Sequence, residues 1–389
     1  MFHFDHLPPL TLYVHFPWCV RKCPYCDFNS HELKGGIPEA AYVDALLSDL
    51  EDELPRVWGR KVMALFIGGG TPSLMSPETV DRLLAGVRAR IALSPDAEIT
   101  LEANPGTAEQ QRFAEFRTAG INRLSIGVQS FNDDQLRRLG RIHGRREAIA
   151  AAEMAHRAGF DNFNLDLMFA LPDQTLAQAR DDVATAIALE PTHLSYYQLT
   201  LEPNTPFHHH PPALPDDESM WSIHQQGQQQ LAAAGYIQYE VSAYARQGWQ
   251  CRHNLNYWQF GDYLGIGAGA HGKITDPQEQ RYLRRWKVRH PQEYLNANGA
   301  ARLAGQSEPD EKDAAFEFML NALRLTEGFP DSLLSEHAGL PLSVLEAPLR
   351  QAQAAGLLEL HDGIIRPTLL GYNHLNTLLE MFLAESETK

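Results

Sequence analysis

The sequence predicts an α/β protein: an incomplete, TIM-like (β/α)6 barrel followed by a smaller C-terminal α+β domain of winged-helix type. Three observations carry the prediction. Six strand-length apolar runs alternate with helical stretches in the first half of the chain, as parallel βα units do. A closed eight-unit barrel needs roughly 250 residues, whereas the alternation here spans roughly 200, which suits six units. The residues of chemical character in this half, Gly69, Glu102, Gln129 and Asp166, fall at or near the C-terminal ends of the runs, the face on which such barrels build their sites.

Taken in order, 10–16 runs apolar more than it alternates, as a strand covered on both faces does. A cysteine-bearing loop follows and ends near Phe28-Asn29. Pro38 opens a helix with Tyr42, Leu46, Leu47 and Leu50 at helical spacing. The second strand, 62–67, runs into Gly68-Gly69-Gly70-Thr71-Pro72, and a helix is expected over 77–90. The third strand, 99–103, ends in Glu102-Ala103-Asn104-Pro105-Gly106, before a helix over 107–119 stopped by Gly120. The fourth, 124–128, ends at Gln129-Ser130, with helices around 132–139 and 144–158 after it. The fifth, 163–168, carries Asp166; a helix over 175–189 and a sixth strand over 194–201 complete the set.

Beyond that point the composition changes. His208-His209-His210-Pro211-Pro212 suggests metal binding by its imidazoles, and a solvated connector by its prolines. A glutamine-rich helix is expected over 216–234 and a strand over 236–244. Residues 299–311 read as a linker. Residues 312–383 then give three helices, two short strands at 357–360 and 363–366, and a terminal helix. The expected domains are 1–205 for the barrel, 206–300 for an extension of it, and 301–389 for the winged-helix-like unit. Winged helices often bind DNA, but no basic stripe is present, which favours a partner- or lid-forming role.

Charge narrows the function further. With 33 basic and 49 acidic residues the chain carries a formal charge of −16, against a broad nucleic-acid surface or adhesion to anionic lipid by charge alone. The few cysteines are clustered, which argues for a reducing compartment over a disulfide framework. The first residues lack a signal-peptide pattern, and no apolar run reaches the eighteen or so residues of a membrane span. A cytoplasmic protein is expected.

Three of the four cysteines lie in Cys19-Val20-Arg21-Lys22-Cys23-Pro24-Tyr25-Cys26. Clustered thiolates hold zinc or an iron–sulfur cluster. Zinc wants four protein ligands, and His15 or His31 could supply the fourth. A [4Fe–4S] cubane on three cysteines leaves one iron open to a cofactor or substrate. Gly68-Gly69-Gly70-Thr71-Pro72 permits close backbone approach and frees N–H and C=O groups for a polar ligand.

The C-x3-C-x2-C spacing resembles that of the radical SAM superfamily, in which the open iron chelates S-adenosylmethionine and the reduced cluster cleaves it to a 5′-deoxyadenosyl radical. The glycine run is similar to that superfamily's GGE-type motif, with Thr71 where many families have Glu. Together with Tyr13-Val-His15-Phe-Pro17-Trp18, Glu102-Ala-Asn-Pro-Gly106, Gly127-Val-Gln-Ser-Phe131, Gly140-Arg-Ile-His-Gly144, Asn164-Leu-Asp-Leu-Met168 and His253-Asn-Leu-Asn-Tyr-Trp258, it resembles the HemW-type haem chaperones. These are relatives of the oxygen-independent coproporphyrinogen III oxidase. The resemblance implies a radical SAM barrel with Cys19, Cys23 and Cys26 on the cluster. It places Tyr13, Gly69 and Glu102 on the cluster-bound S-adenosylmethionine. Tyr25, Gly70, Thr71, Gln129, Arg141 and Asp166 match positions that hold a second cofactor molecule in the oxidase; whether this chain takes one molecule or two stays open.

Two departures favour the chaperone. The oxidase has a further cysteine two residues after the third ligand, where this chain has Asp27-Phe28. The oxidase also has an N-terminal extension, for which a first cysteine at position 19 leaves no room. In the family the stretch from His253 to Trp258 is linked to haem, so His253 is the candidate haem ligand. Cys251 is its rival, and also reads as a free buried cysteine. The function implied is haem binding and delivery to haem-requiring respiratory proteins, with haem as cargo and radical turnover incidental. A homodimer and a transient contact with membrane proteins are compatible with it. The alternative is oxygen-independent coproporphyrinogen III dehydrogenase, a radical SAM oxidative decarboxylase.

Overall fold

The computed structural model describes residues 2–106 and 112–383. Six strands lie side by side and parallel: β1 (Leu10–Phe16), β2 (Lys61–Gly69), β3 (Ala92–Ala103), β4 (Arg123–Gln129), β5 (Phe163–Phe169) and β6 (His193–Gln198). All seven residues of β4 are buried, which is why the central strands read as apolar runs and not as alternating ones. The connecting helices are α1 (Glu39–Glu53), α2 (Pro77–Arg88), α3 (Phe113–Ala119), α4 (Asp133–Arg138), α5 (Arg145–Arg157) and α6 (Leu176–Ala188). Side-chain caps start three of them: Ser76 accepts from the Thr79 N–H, Asn132 from Asp134 and Gln135, and Thr175 from Gln178. Part of the helix expected over 107–119 lies outside the described residues; its remainder is α3, closed by Gly120 at φ 111°.

The sheet is larger than the sequence suggests. After α7 (Asp217–Ala233), the single strand expected over 236–244 is a hairpin of β7 (Ile237–Glu240) and β8 (Ala243–Ala245), of which β8 pairs antiparallel to β6. The short helix α8 (Arg252–Trp258) then leads to β9 (Asp262–Ile266), which pairs parallel to the free edge of β1 and makes a seventh parallel strand. β10 (His271–Asp276), β11 (Arg281–Lys287) and β12 (Leu303–Ser307) extend that edge antiparallel. The resulting order is β12-β11-β10-β9-β1-β2-β3-β4-β5-β6-β8-β7, with the end strands unpaired to each other, so the barrel is open. The stretch read as a linker over 299–311 therefore contains an edge strand.

Smaller differences follow from local chemistry. The sixth strand stops at Gln198, and β3 begins at Ala92, ahead of 99. The C-terminal unit has helices at Glu311–Ala322, Ser332–Ala338 and Glu346–Ala354, and a three-stranded sheet of Phe329–Pro330, Ile364–Pro367 and Leu358–His361. Its terminal helix is split into Leu369–Asn373 and Leu375–Glu380. A core built on Phe318, Met319, Leu323, Leu334 and Ile365 also takes in Phe4, Phe260 and Tyr282, so this unit is packed onto the extended edge of the barrel. Among the described residues no helix is long and apolar enough to cross a membrane.

Candidate functional site

Inside the curve of the sheet lies a cavity of about 600 Å³, lined by Cys19, Cys23 and Cys26, by the residues matched to the S-adenosylmethionine positions and by His253, but not by Cys251 or by the histidines at 15, 31 and 208–210. The cysteine loop forms its mouth. Trp18–Cys19 pairs with His31–Glu32, and the Cys26 N–H donates to the Cys23 carbonyl at 3.2 Å, so the loop is closed at its base and turned at its tip. The three thiols are free and half-buried. Burial raises the pKa of Cys19 and Cys26; the Thr71 hydroxyl opposes this at Cys19 and the Ser30 hydroxyl at Cys26.

The glycine loop is held against the cysteine loop by backbone bonds. Gly70 N–H donates to Phe16 O at 2.6 Å and Thr71 N–H to Trp18 O at 2.8 Å. Gly69 sits at φ 114°, and a Cβ there would come within 2.5 Å of the His15 ring. A Cβ on Gly70 would overlap the Trp18 carbonyl. This approach brings the Thr71 hydroxyl to 3.6 Å from Cys19 Sγ. On the other side Arg141 Nη1 donates to Cys23 Sγ at 3.7 Å. Asn104 ties the two donors together: its Nδ2 donates to Thr71 Oγ1 at 2.8 Å, and its Oδ1 accepts from Arg141 Nη2 at 2.5 Å. Arg141 also donates to Gly127 O at 2.6 Å.

Deeper in, Glu102 accepts the Gly69 N–H at 2.9 Å. Burial pushes its carboxyl up to about 7, against the Gly69 N–H and with help from Asp166. Asp166 accepts from Asn164 Nδ2 at 2.7 Å and is likewise raised, chiefly by burial. Gln129 ends β4 at φ 71° and accepts the Tyr197 hydroxyl at 2.6 Å. Burial raises Tyr25, whose ring lies 6.4 Å from that of Phe207.

The floor is α8. Its first N–H groups are held by Glu98, which accepts from Arg252 N at 2.9 Å and His253 N at 3.4 Å. His253 is 2% exposed, and among the described residues neither ring nitrogen has a hydrogen-bond partner. The ring stacks on Phe66 at 5.0 Å and meets Tyr257 edge-on at 4.7 Å. Burial, with the Arg123 charge, holds its pKa down at about 3, so it is a neutral imidazole at pH 7. Cys251 does not reach the cavity: it is fully buried, its thiol lies 3.6 Å from Glu98 Oε1, and burial pushes its pKa up to about 12. Trp258 also lines the floor. Arg324 of the C-terminal unit stands 4.2 Å over its ring and pairs with Glu240 at 2.9 Å.

The donor set suits a cubane better than a zinc ion. His15 bonds Tyr13 Oη at 3.0 Å and Asn29 O at 2.9 Å, using both ring nitrogens, and His31 bonds Asn29 Oδ1 at 3.3 Å. Among the described residues no three His, Cys, Asp or Glu groups converge on the point one ion would fill. A cluster does not need that convergence, because each cysteine binds a different iron. The histidines at 208–210 line no part of the cavity. Asn104, Arg123, Tyr197 and Arg324 line the cavity but went unread in the sequence. Of these only Asn104 had a signal, its place in the turn after the third strand.

Comparison with known proteins agrees with this architecture. The Radical SAM superfamily model matches residues 13–186, and the HemN C-terminal domain model matches 310–373. The chain is 54% identical over 379 residues to the heme chaperone HemW of Escherichia coli (strain K12), covering 97% of this chain and 99% of that one. It is 49% identical over 383 residues to the heme chaperone HemW of Haemophilus influenzae, again covering 97% and 99%. Among solved structures, coproporphyrinogen III oxidase (HemN) from Escherichia coli superposes with a TM-score of 0.80 at 24% identity, over 97% of this chain and 90% of that one.

Proposed function

The chain belongs to the HemW family of heme chaperones within the radical SAM superfamily, and from that premise we propose that it carries haem in the cytoplasm and hands it to haem-requiring proteins. A [4Fe–4S] cluster would be held by Cys19, Cys23 and Cys26. When bound, such a cluster supplies one-electron reduction of a sulfonium cofactor at its open iron. Tyr13, Gly69 and Glu102 would bind and orient the S-adenosylmethionine beside it. Tyr25, Gly70, Thr71, Gln129, Arg141 and Asp166 would enclose the rest of that cofactor, or a second molecule, and exclude water from it.

The observation that carries the haem reading is His253. It is a neutral imidazole at the cavity floor with two unpartnered nitrogens, beside aromatic rings able to pack on a porphyrin. Leaving a buried polar atom without a partner costs on the order of 1–3 kcal/mol, which a ligand or an ordered water at His253 would offset. Titrating haemin into cluster-loaded protein should give a saturable Soret band, and the same sample should form no protoporphyrinogen from coproporphyrinogen III with reductant and S-adenosylmethionine. Product without haem binding would reverse the assignment in favour of the dehydrogenase. A Soret band identical in His253→Ala would remove His253 as ligand and leave the function standing.

A further inference from the structure

A second cavity of about 680 Å³ opens on the other side of Tyr13, Gly69 and Glu102, between the end of the cysteine loop and the extended edge of the sheet. Its outer wall is made by β10 and β11. Register pairs His271 with Trp286 across these strands, so both side chains rise from one face. Their rings stack at 6.3 Å with an interplanar angle of 23°. Trp286 lies flat because its neighbour on β12 is Gly305, where a Cβ would overlap the indole. The imidazole is exposed and, among the described residues, takes no hydrogen bond. Burial of part of the ring and the charges of Arg284 and Arg289 lower its pKa, so it is neutral at pH 7.

The opposite lip is Phe28, 57% exposed and shared with the cluster cavity. Asn29 fixes the width of the opening: its Nδ2 donates to Ala268 O and to Arg289 O, each at 2.9 Å. A Cβ on Gly269 would overlap that amide, so the walls are set by close packing. The opening thus offers two aromatic faces, a free neutral imidazole and, in a chain of net charge −16, the exposed guanidinium of Arg289. An aromatic slot, an axial nitrogen and a cation for carboxylates are the needs of one ligand class, an iron porphyrin with acidic side chains.

We infer that this groove is a docking site for haem, with His271 as an axial ligand to iron and Arg289 facing a propionate. The inference rests on the haem-carrier reading above and adds an accessible site to the enclosed one at His253. Delivery needs such a site. The imidazole of His253 is fully enclosed, whereas a macrocycle ligated by His271 and edged by Phe28 would face solvent and any acceptor. The groove also touches the cysteine loop through Phe28 and Asn29, so loop and cargo share a wall.

The test uses cluster-loaded full-length protein, haemin as ligand and apomyoglobin as acceptor. His271→Gly should lower the rate of haem transfer at least tenfold and shift the Soret maximum, and added imidazole should restore both. His361→Ala, at an exposed histidine outside both cavities, should keep the transfer rate. Iron content and melting temperature of His271→Gly should match the parent, which separates lost ligation from lost fold. Transfer and spectrum unchanged in both His271→Gly and Trp286→Ala would overturn the groove while leaving the haem-carrier reading intact. Absence of saturable haem binding by the parent protein would overturn the carrier reading, and the groove with it.

Discussion

The mouth and the floor of the cavity are built on opposite principles. At the mouth the polar side chains hold one another: Thr71, Asn104 and Arg141 form a chain that points a donor at Cys19 and another at Cys23. At the floor His253 is more deeply buried than Asn104 or Arg141, yet among the described residues its ring nitrogens have no hydrogen-bond partner. A satisfied network is rigid and suits a resident group that must sit in one place. An unsatisfied imidazole in an aromatic setting suits a ligand that comes and goes. On the function proposed above, the mouth would hold the resident cluster and the floor would enclose a bound ligand.

Substitutions sharpen this contrast, and the largest effect belongs at the mouth. Cys23→Ala should abolish stable cluster loading, read as loss of iron and of the broad charge-transfer absorption. The fold itself should survive, because the loop is closed by Trp18–Cys19 against His31–Glu32 and not by Cys23. Asn104→Ala comes next. It frees two donors from their shared partner and should cost about 1–2 kcal/mol in thermal or denaturant unfolding. The cluster should still load, but at a more negative reduction potential, because hydrogen bonds to cluster sulfur tune that potential.

How much of this was legible in the sequence follows the same division. The mouth was readable because its residues sit in short motifs at strand ends, and strand order brings those ends together. The extended edge was not readable. β11 is Arg281-Tyr-Leu-Arg-Arg-Trp-Lys287, too charged to pass for a half-buried strand. Lys287 is nonetheless buried, because Asp49 and Glu53 on α1 accept its ammonium at 2.6 and 2.7 Å. Partners more than 230 residues away neutralise it, and no local pattern announces them. β9 escaped notice because its glycine-rich neighbourhood reads as a turn. Arg324 was hidden for the reason Lys287 was, since its partners Glu240 and Trp258 lie in other units of the chain.

Glu102 gives an effect of intermediate size with a defined sign. Its carboxyl rises from 4.5 in an unfolded reference to about 7 in the fold. The unfolded chain ionises first, so the fold is favoured with respect to this group below pH 4.5 and loses that advantage as pH climbs to about 7. Glu102→Gln should flatten the corresponding fall in melting temperature between those limits. It should also remove any gain in S-adenosylmethionine affinity on raising pH through 7, measured by equilibrium binding. The smallest effect on stability is expected at the floor. His253→Leu deletes two unpartnered nitrogens and should leave the melting temperature unchanged or slightly raised, in contrast to Asn104→Ala. A large loss of stability in His253→Leu would break the comparison, since it would mean that the ring is held by the fold and not kept for a ligand.

The most direct test is made at the mouth. Anaerobically reconstituted protein should contain about four irons per chain, as three cysteines on one cubane require, and the electron paramagnetic resonance signal of its reduced form should change when S-adenosylmethionine occupies the open iron. Stoichiometric zinc in place of iron, or a cluster signal indifferent to S-adenosylmethionine, would contradict the account.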